Sequence, residues 1–233
     1  MKIYLLRHGT TNWNTAFRIQ GRTDIPLDEA GEAAARLTGE ALLSSGITFA
    51  RVFSSPLQRA FRTAQLAAPG APVTADPRLT ELGFGDFEGR SVGEMMADEN
   101  CPFRHFQSDP VLYNEELQRL EQTEPEKGYE SLSSLCARTG DFVRKVLTPM
   151  VLSGPADARV LIAGHGAMNR GLMTVFLHAG LGSFWGSGLS ANCGIYLIDA
   201  QPSPAGGVVY QSDDVCHIFY DPDALPKIPG LLG

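Results

Sequence analysis

Two short apolar runs, far apart in the chain, each end in a histidine flanked by glycine. Lys2–Leu6 leads into Arg7-His8-Gly9, and Val160-Leu161-Ile162-Ala163 leads into Gly164-His165-Gly166. Short, nearly unbroken apolar runs read as strands buried on both faces of a sheet. Further strands are expected at 51–54 and 193–198, with weaker candidates at 72–74 and 207–211. Segments of helical spacing separate them. Asp28–Ser45 has a capping aspartate, Glu29 and Glu32 near its start, and Leu37, Ala41 and Leu42 at helical spacing. Pro56–Ala68 carries a proline in its expected first turn. Ser131–Val151 is expected to stop early at Pro149, and Ala167–His178 follows the second histidine. Strands alternating with helices predict an α/β fold: a three-layer sandwich with a mainly parallel central sheet and helices on both faces.

Residues 92–130 depart from that alternation. They are rich in Glu, Asp, Gln and Pro, with Met95, Met96, Phe103, Phe106 and Tyr113 among them. They are expected to form an inserted helical cap beside the site, within a single domain spanning 1–233. Pro222–Gly233 contains three prolines and shows no periodicity.

The net charge of −7 supplies no basic field for nucleic acid or an anionic membrane, so a small molecule is the expected partner. No apolar run reaches the roughly 20 residues that span a bilayer, and Met1–Leu6 is too short for a signal-peptide core. Cys101, Cys136, Cys193 and Cys216 are scattered, without zinc-ligand spacing. Reduced thiols and a cytoplasmic location are expected, with the chain a monomer or homodimer.

Polar groups at the C-terminal ends of strands in open α/β sheets sit where such sheets bind ligands. Arg7 offers a planar fork of donors suited to phosphate. His8 offers a ring nitrogen that can be a nucleophile near neutral pH, and Gly9 permits a close turn. A third strand end, Phe53-Ser54-Ser55-Pro56-Leu57-Gln58-Arg59-Ala60, brings an arginine on the following helix, and Thr80–Gly89 is an acidic loop. No Gly-Lys pair or G-x-S-x-G stretch occurs, which excludes a Walker-type loop and a serine elbow.

Taken in order, Arg7-His8-Gly9, Ser55–Ala60, Glu81–Gly89 and Gly164-His165-Gly166 resemble the histidine phosphatase superfamily, the phosphoglycerate mutase-like group. The resemblance implies that His8 attacks phosphorus and becomes a phosphohistidine. Arg7, Arg59 and His165 would hold the phosphoryl oxygens, Asn14 would add a neutral donor, and no metal or other cofactor is expected. Glu81 matches the first glutamate of the family's motif and is the expected general acid, then general base. Asp86 and Glu88 compete with it. Four residues carry open alternatives. Arg62 is a second phosphate-side arginine or a surface ion-pair partner. Thr11 touches substrate or bonds its own turn, and Gln20 and Gly21 present a backbone N–H or are only loop.

The resemblance leans to the phosphatase branch. The mutases carry an adjacent arginine pair for the substrate carboxylate and favour Asn after the second His-Gly. Here no Arg-Arg occurs between Glu81 and His165, and Ala167 stands at the second position. The expected activity is a metal-independent phosphomonoesterase acting on a small phosphorylated metabolite. The alternatives are phosphoglycerate mutase-type transfer and a non-catalytic phospho-ligand binding module.

Overall fold

The computed structural model describes residues 1–225, so the end of the proline-containing tail, from 226 on, lies outside the described residues. In chain order the elements are β1 (Lys2–Arg7), α1 (Asn12–Thr15), α2 (Glu29–Ser44), β2 (Arg51–Ser54), α3 (Gln58–Ala67) and β3 (Val73–Ala75). Then come α4 (Val92–Ala97), α5 (Pro110–Thr123), α6 (Leu132–Phe142), α7 (Thr148–Ser153), β4 (Arg159–Gly164) and α8 (Gly166–Phe176). The last strands among the described residues are β5 (Ile195–Pro202), β6 (Val208–Gln211) and β7 (Cys216–His217). Among the described residues no helix is long and apolar enough to cross a membrane.

One sheet holds all seven strands in the order β3-β2-β4-β1-β5-β6, with β7 also paired to β5. β1 to β4 pair in parallel. β5 is antiparallel to β1, β6 and β7, so it alone runs against the others. Alternate residues serve opposite faces, as the pleat requires. Ile3, Leu5, Val160 and Ile162 pack with Leu135 and Phe142 of α6 and Leu172 and Phe176 of α8. Tyr4, Leu6, Val52 and Leu161 pack with Ala35 and Leu42 of α2 and Ala64 and Ala67 of α3. Two apolar cores, one on each side of the sheet, make the expected mixed α/β sandwich.

Two helix boundaries depart from expectation. α3 starts at Gln58, not at Pro56. Its first free N–H is satisfied from outside, by Asp24 Oδ1 accepting from Gln58 N at 2.8 Å, so Ser55 and Pro56 stay in the turn leaving β2. Pro149 does not end its helix. Val143–Leu147 form a π turn between α6 and α7, with Thr148 N–H donating to Val143 O five residues back. Pro149 therefore falls in the first turn of α7, where its missing N–H is no loss.

Residues 92–127 hold α4, α5 and single 3₁₀ turns at Pro102–His105 and Pro125–Lys127. Met95, Phe103, Phe106, Tyr113 and Leu117 join the α6/α8 core. Within that core Phe142 is fully buried and meets Phe53 edge-on, with ring centroids 5.4 Å apart. Phe142→Ala should cost about 3–5 kcal/mol in urea unfolding. A loss below about 1 kcal/mol would show that the core closes over the gap.

Candidate active site

Parallel pairing of β1 and β4 sets Arg7 opposite Gly164. The next residue on each strand is a histidine, and His8 N–H donates to Gly164 O at 3.0 Å. The two rings therefore emerge side by side, with centroids 5.2 Å apart. β2 flanks β4 on its other edge, so α3, which follows β2, carries Arg59 to the same end of the sheet. β5 runs the opposite way, so the loop before it also arrives here. Cys193 N–H donates to Arg7 O at 3.1 Å, and Arg7 N–H to Gly194 O at 3.0 Å.

The turn after β1 is tight against α2. A Cβ on Gly9 would lie 2.5 Å from Gly31 O, so only glycine fits. Gly9 O lies 2.6 Å from His8 Nδ1. A carbonyl can only accept, so Nδ1 carries the proton and, in the neutral ring, Nε2 keeps its lone pair. Burial, then the charges of Arg59 and Arg7, push His8 well below the ordinary imidazole value. Asn192 Nδ2 donates to His8 O at 2.9 Å and Gly9 O at 3.2 Å, steadying the carbonyl that orients the ring.

Arg59 is fully buried. Its guanidinium donates to Thr23 O at 2.9 Å and Gly21 O at 2.6 Å. Burial lowers it to about 10, so it remains a cation at neutral pH. Arg7 donates Nη1–H to Ser190 O, and burial lowers its pKa too. Arg7 Nε, Arg59 Nε and both ring nitrogens of His165 are buried without a protein partner. Buried polar atoms without partners are costly, and phosphoryl oxygens are suitable acceptors for the two guanidinium N–H groups and the one N–H of a neutral His165 ring. His165 is neutral in these surroundings, because burial and then Arg59 hold it well below the usual imidazole value.

Glu81 follows β3 and a 3₁₀ turn at Pro77–Leu79. It meets the N-terminus of α8, where Oε1 accepts from Leu82 N at 2.8 Å and Met168 N at 2.9 Å, and Oε2 from Ala167 N at 3.2 Å. Oε2 has the single, longer bond and so has spare capacity for a proton. The competing carboxylates have other tasks. Glu88 ties the 21–23 loop by accepting from Arg22 N at 2.9 Å and Thr23 N at 2.8 Å. Asp86 pairs with Lys127 at 2.7 Å on the surface.

Arg7, His8, Asn14, Gln20, Gly21, Arg59 and Glu81 line one cleft of about 120 Å³, with His165 buried beside His8. Besides His165, two candidates lie outside its lining. Arg62 is drawn away by Glu32, 2.9 Å from its Nε. Thr11 is buried and spends its hydroxyl in a capping box with Asn14 at the start of α1. That box occupies Asn14 Oδ1 and leaves Nδ2 as its free donor. Gly21, at φ +53°, holds Arg59 through its carbonyl. Among the described residues no three His, Cys, Asp or Glu side chains form a metal-ligand set.

Only part of the far wall comes from the expected cap. Phe84, Phe106, Trp185 and Leu189 close it, and Arg18 stands on the rim. Trp185 Nε1–H donates to Phe106 O at 2.5 Å, locking two distant segments together. Arg18 is exposed, and its Nη1–H donates to Gly89 O at 2.7 Å. Only Phe106 carried a sequence signal, as an aromatic within 92–130. Trp185 lies in a Gly-Ser-rich stretch that reads as turn, and Arg18 follows no recognisable spacing.

Comparison with known proteins agrees with this geometry. The profile of the histidine phosphatase superfamily (branch 1) matches residues 3–210. The chain is 35% identical over 234 residues to "Probable phosphoglycerate mutase GpmB" of Serratia proteamaculans, covering 98% of this chain and 99% of that protein. It superposes on Bacillus stearothermophilus YhfR with a TM-score of 0.73 at 27% identity, covering 93% and 98% of the two chains. It also superposes on the Entamoeba histolytica phosphoserine phosphatase solved with 3-phosphoglyceric acid, with a TM-score of 0.65 at 25% identity, covering 92% and 97%. A match running from the first strand to the sixth, with full-length similarity to a catalogued relative, makes this chain a member of branch 1 of the histidine phosphatase superfamily.

Proposed function

We propose that the chain hydrolyses small phosphate monoesters through a phosphohistidine formed on His8. The observation that carries this reading is the bond between His8 Nδ1 and Gly9 O, 2.6 Å, on a buried neutral ring. It leaves Nε2 as a nucleophile beside two guanidiniums that have donors to spare. Nε2 bonds to phosphorus as the P–O bond to the alcohol breaks. Glu81 gives its proton to the departing alkoxide. Water then attacks the phosphohistidine, Glu81 takes back a proton, and inorganic phosphate leaves with His8 restored. Arg7, Arg59 and His165 supply the charge and donors that phosphoryl transfer needs around the moving group, so the proposal assigns no step to a metal.

The cleft suits a small molecule. Its volume is only about 120 Å³, and Phe84, Phe106 and Trp185 wall its far side. Arg18 favours a substrate with a second negative group, such as a phosphorylated carboxylic acid. No carboxylate among the described residues lies within ion-pairing distance of it. A mutase is the second reading, and the 35%-identical relative named as one favours it. Against it stand the missing arginine pair and the apolar far wall.

Phosphate release from p-nitrophenyl phosphate, with EDTA present, should proceed in the wild type and fall to background in His8→Ala. Turnover that survives the substitution would overturn the covalent route. Arg59→Ala should lower kcat by about 10²–10³-fold. Retention of the phosphoryl group on a glycerate acceptor, instead of phosphate release, would favour the mutase.

The acid side of the titration is also defined. His8 and His165 both lie well below the usual imidazole value in the folded chain, whereas in the unfolded chain they titrate near about 6.5. Unfolding therefore takes up protons as the pH falls. The stability these residues contribute is present above about pH 6.5 and is lost on acidification through the folded values. In histidine-selective NMR neither ring should titrate near pH 6.5. A midpoint at or above about 6.5 for either would contradict the neutral pair.

A further inference from the structure

We infer that Glu130 and Arg138 form a positioning pair for the proton donor, and that they set how well this enzyme acts on esters with poor leaving groups. The inference rests on the reading of Glu81 as that donor. Glu130 is 5% exposed, at the end of the helical segment that follows the acidic loop. Arg138, on α6, grips it with a two-pronged contact: Nε to Oε1 at 2.7 Å and Nη2 to Oε2 at 2.9 Å. The same guanidinium donates to Arg78 O at 2.7 Å and Glu81 O at 3.1 Å. It therefore holds the main chain at Glu81 and three residues before it.

Glu130 completes the grip from the other side. Its N–H donates to Gly83 O at 2.9 Å, and the neighbouring Tyr129 bridges Phe84. The backbone on both sides of Glu81 is thus strapped to one buried ion pair. Glu130 also reaches the phosphate side, because Arg22 Nη2 lies 3.1 Å from its Oε1. Arg22 stands between Gly21 and Thr23, whose carbonyls hold Arg59. One carboxylate therefore links the loop of the proton donor to the loop that aims a phosphate-binding arginine.

A buried pair with so many bonds could serve folding alone, so the test must read catalysis selectively. Arg138→Lys keeps the charge but has no planar fork to bond Glu130, Arg78 O and Glu81 O together. The readout is kcat/KM across aryl phosphates, from p-nitrophenyl to p-methoxyphenyl phosphate, because this ratio reports steps up to formation of the phosphohistidine. A nitrophenolate leaves with little help, whereas a methoxyphenolate needs the proton. The expected result is a steeper dependence on leaving group: a loss of about 10- to 100-fold for the methoxy ester and a much smaller loss for the nitro ester. Equal losses along the series, or none, would overturn the inference.

A melting scan checks folding. Should Arg138→Lys not fold, Glu130→Gln must show the same steepening. If neither variant folds, the pair is a folding element and the inference fails. Absence of aryl phosphate turnover in the wild type, or a Glu81→Gln series parallel to the wild type, would instead remove the reading of Glu81 itself.

Discussion

The register between β1 and β4 is the constraint on which the rest depends. Pairing Arg7 with Gly164 puts the next residue of each strand at the same height, and a one-residue slip would turn one of the two histidines to the opposite face. From this register follow the 5.2 Å ring separation and the shared burial that keeps both imidazoles neutral. The arrangement is costly to the apo protein. Two arginines and two histidines crowd one strand-end crevice, with several donors unpaired. Packing on both faces of the sheet offsets that cost: each fully buried Leu, Ile or Phe contributes about 1.5–3 kcal/mol. A site held open against its own electrostatics is ready for an anion without rearrangement.

Much of this is legible in the sequence. The strands ending at Arg7-His8 and Gly164-His165 announce themselves as apolar runs stopped by polar residues. The cap of α2 was readable from Asp28, whose carboxylate does accept from Gly31 N at 2.7 Å. What escaped reading depended on partners distant in sequence. Nothing local to Pro56 reveals that Asp24 will cap the helix start two residues later. Nothing near Pro149 reveals a π turn, whose extra residue has no hydropathy signature.

The same division holds at the site. His8, Arg59 and His165 sit on strand ends and a helix start, where position follows from topology. The aromatic wall comes from residues 84, 106 and 185, three segments that meet only through tertiary packing. Asn192 stands before β5, and its bonds to the carbonyls of residues 8 and 9 span more than 180 positions. Glu88 could be placed only by geometry. On paper it competes with Glu81, and in space it is a clamp on a loop.

The position of β1 has a consequence for how the enzyme is made. This first strand is central, and both of its neighbours arrive late: Lys2 pairs with Arg159 on one side and Asp199 on the other. During synthesis its edges find no native partner until most of the chain exists, and contacts of such sequence separation form slowly. His8, the proposed nucleophile, is thus translated well before the residues that surround it. His165, Ser190 and Asn192 must all emerge before the ring of His8 is buried, oriented and faced by its donors. A chain cut before β4 and β5 would carry His8 without these partners, so the site is complete only when the sheet closes around β1.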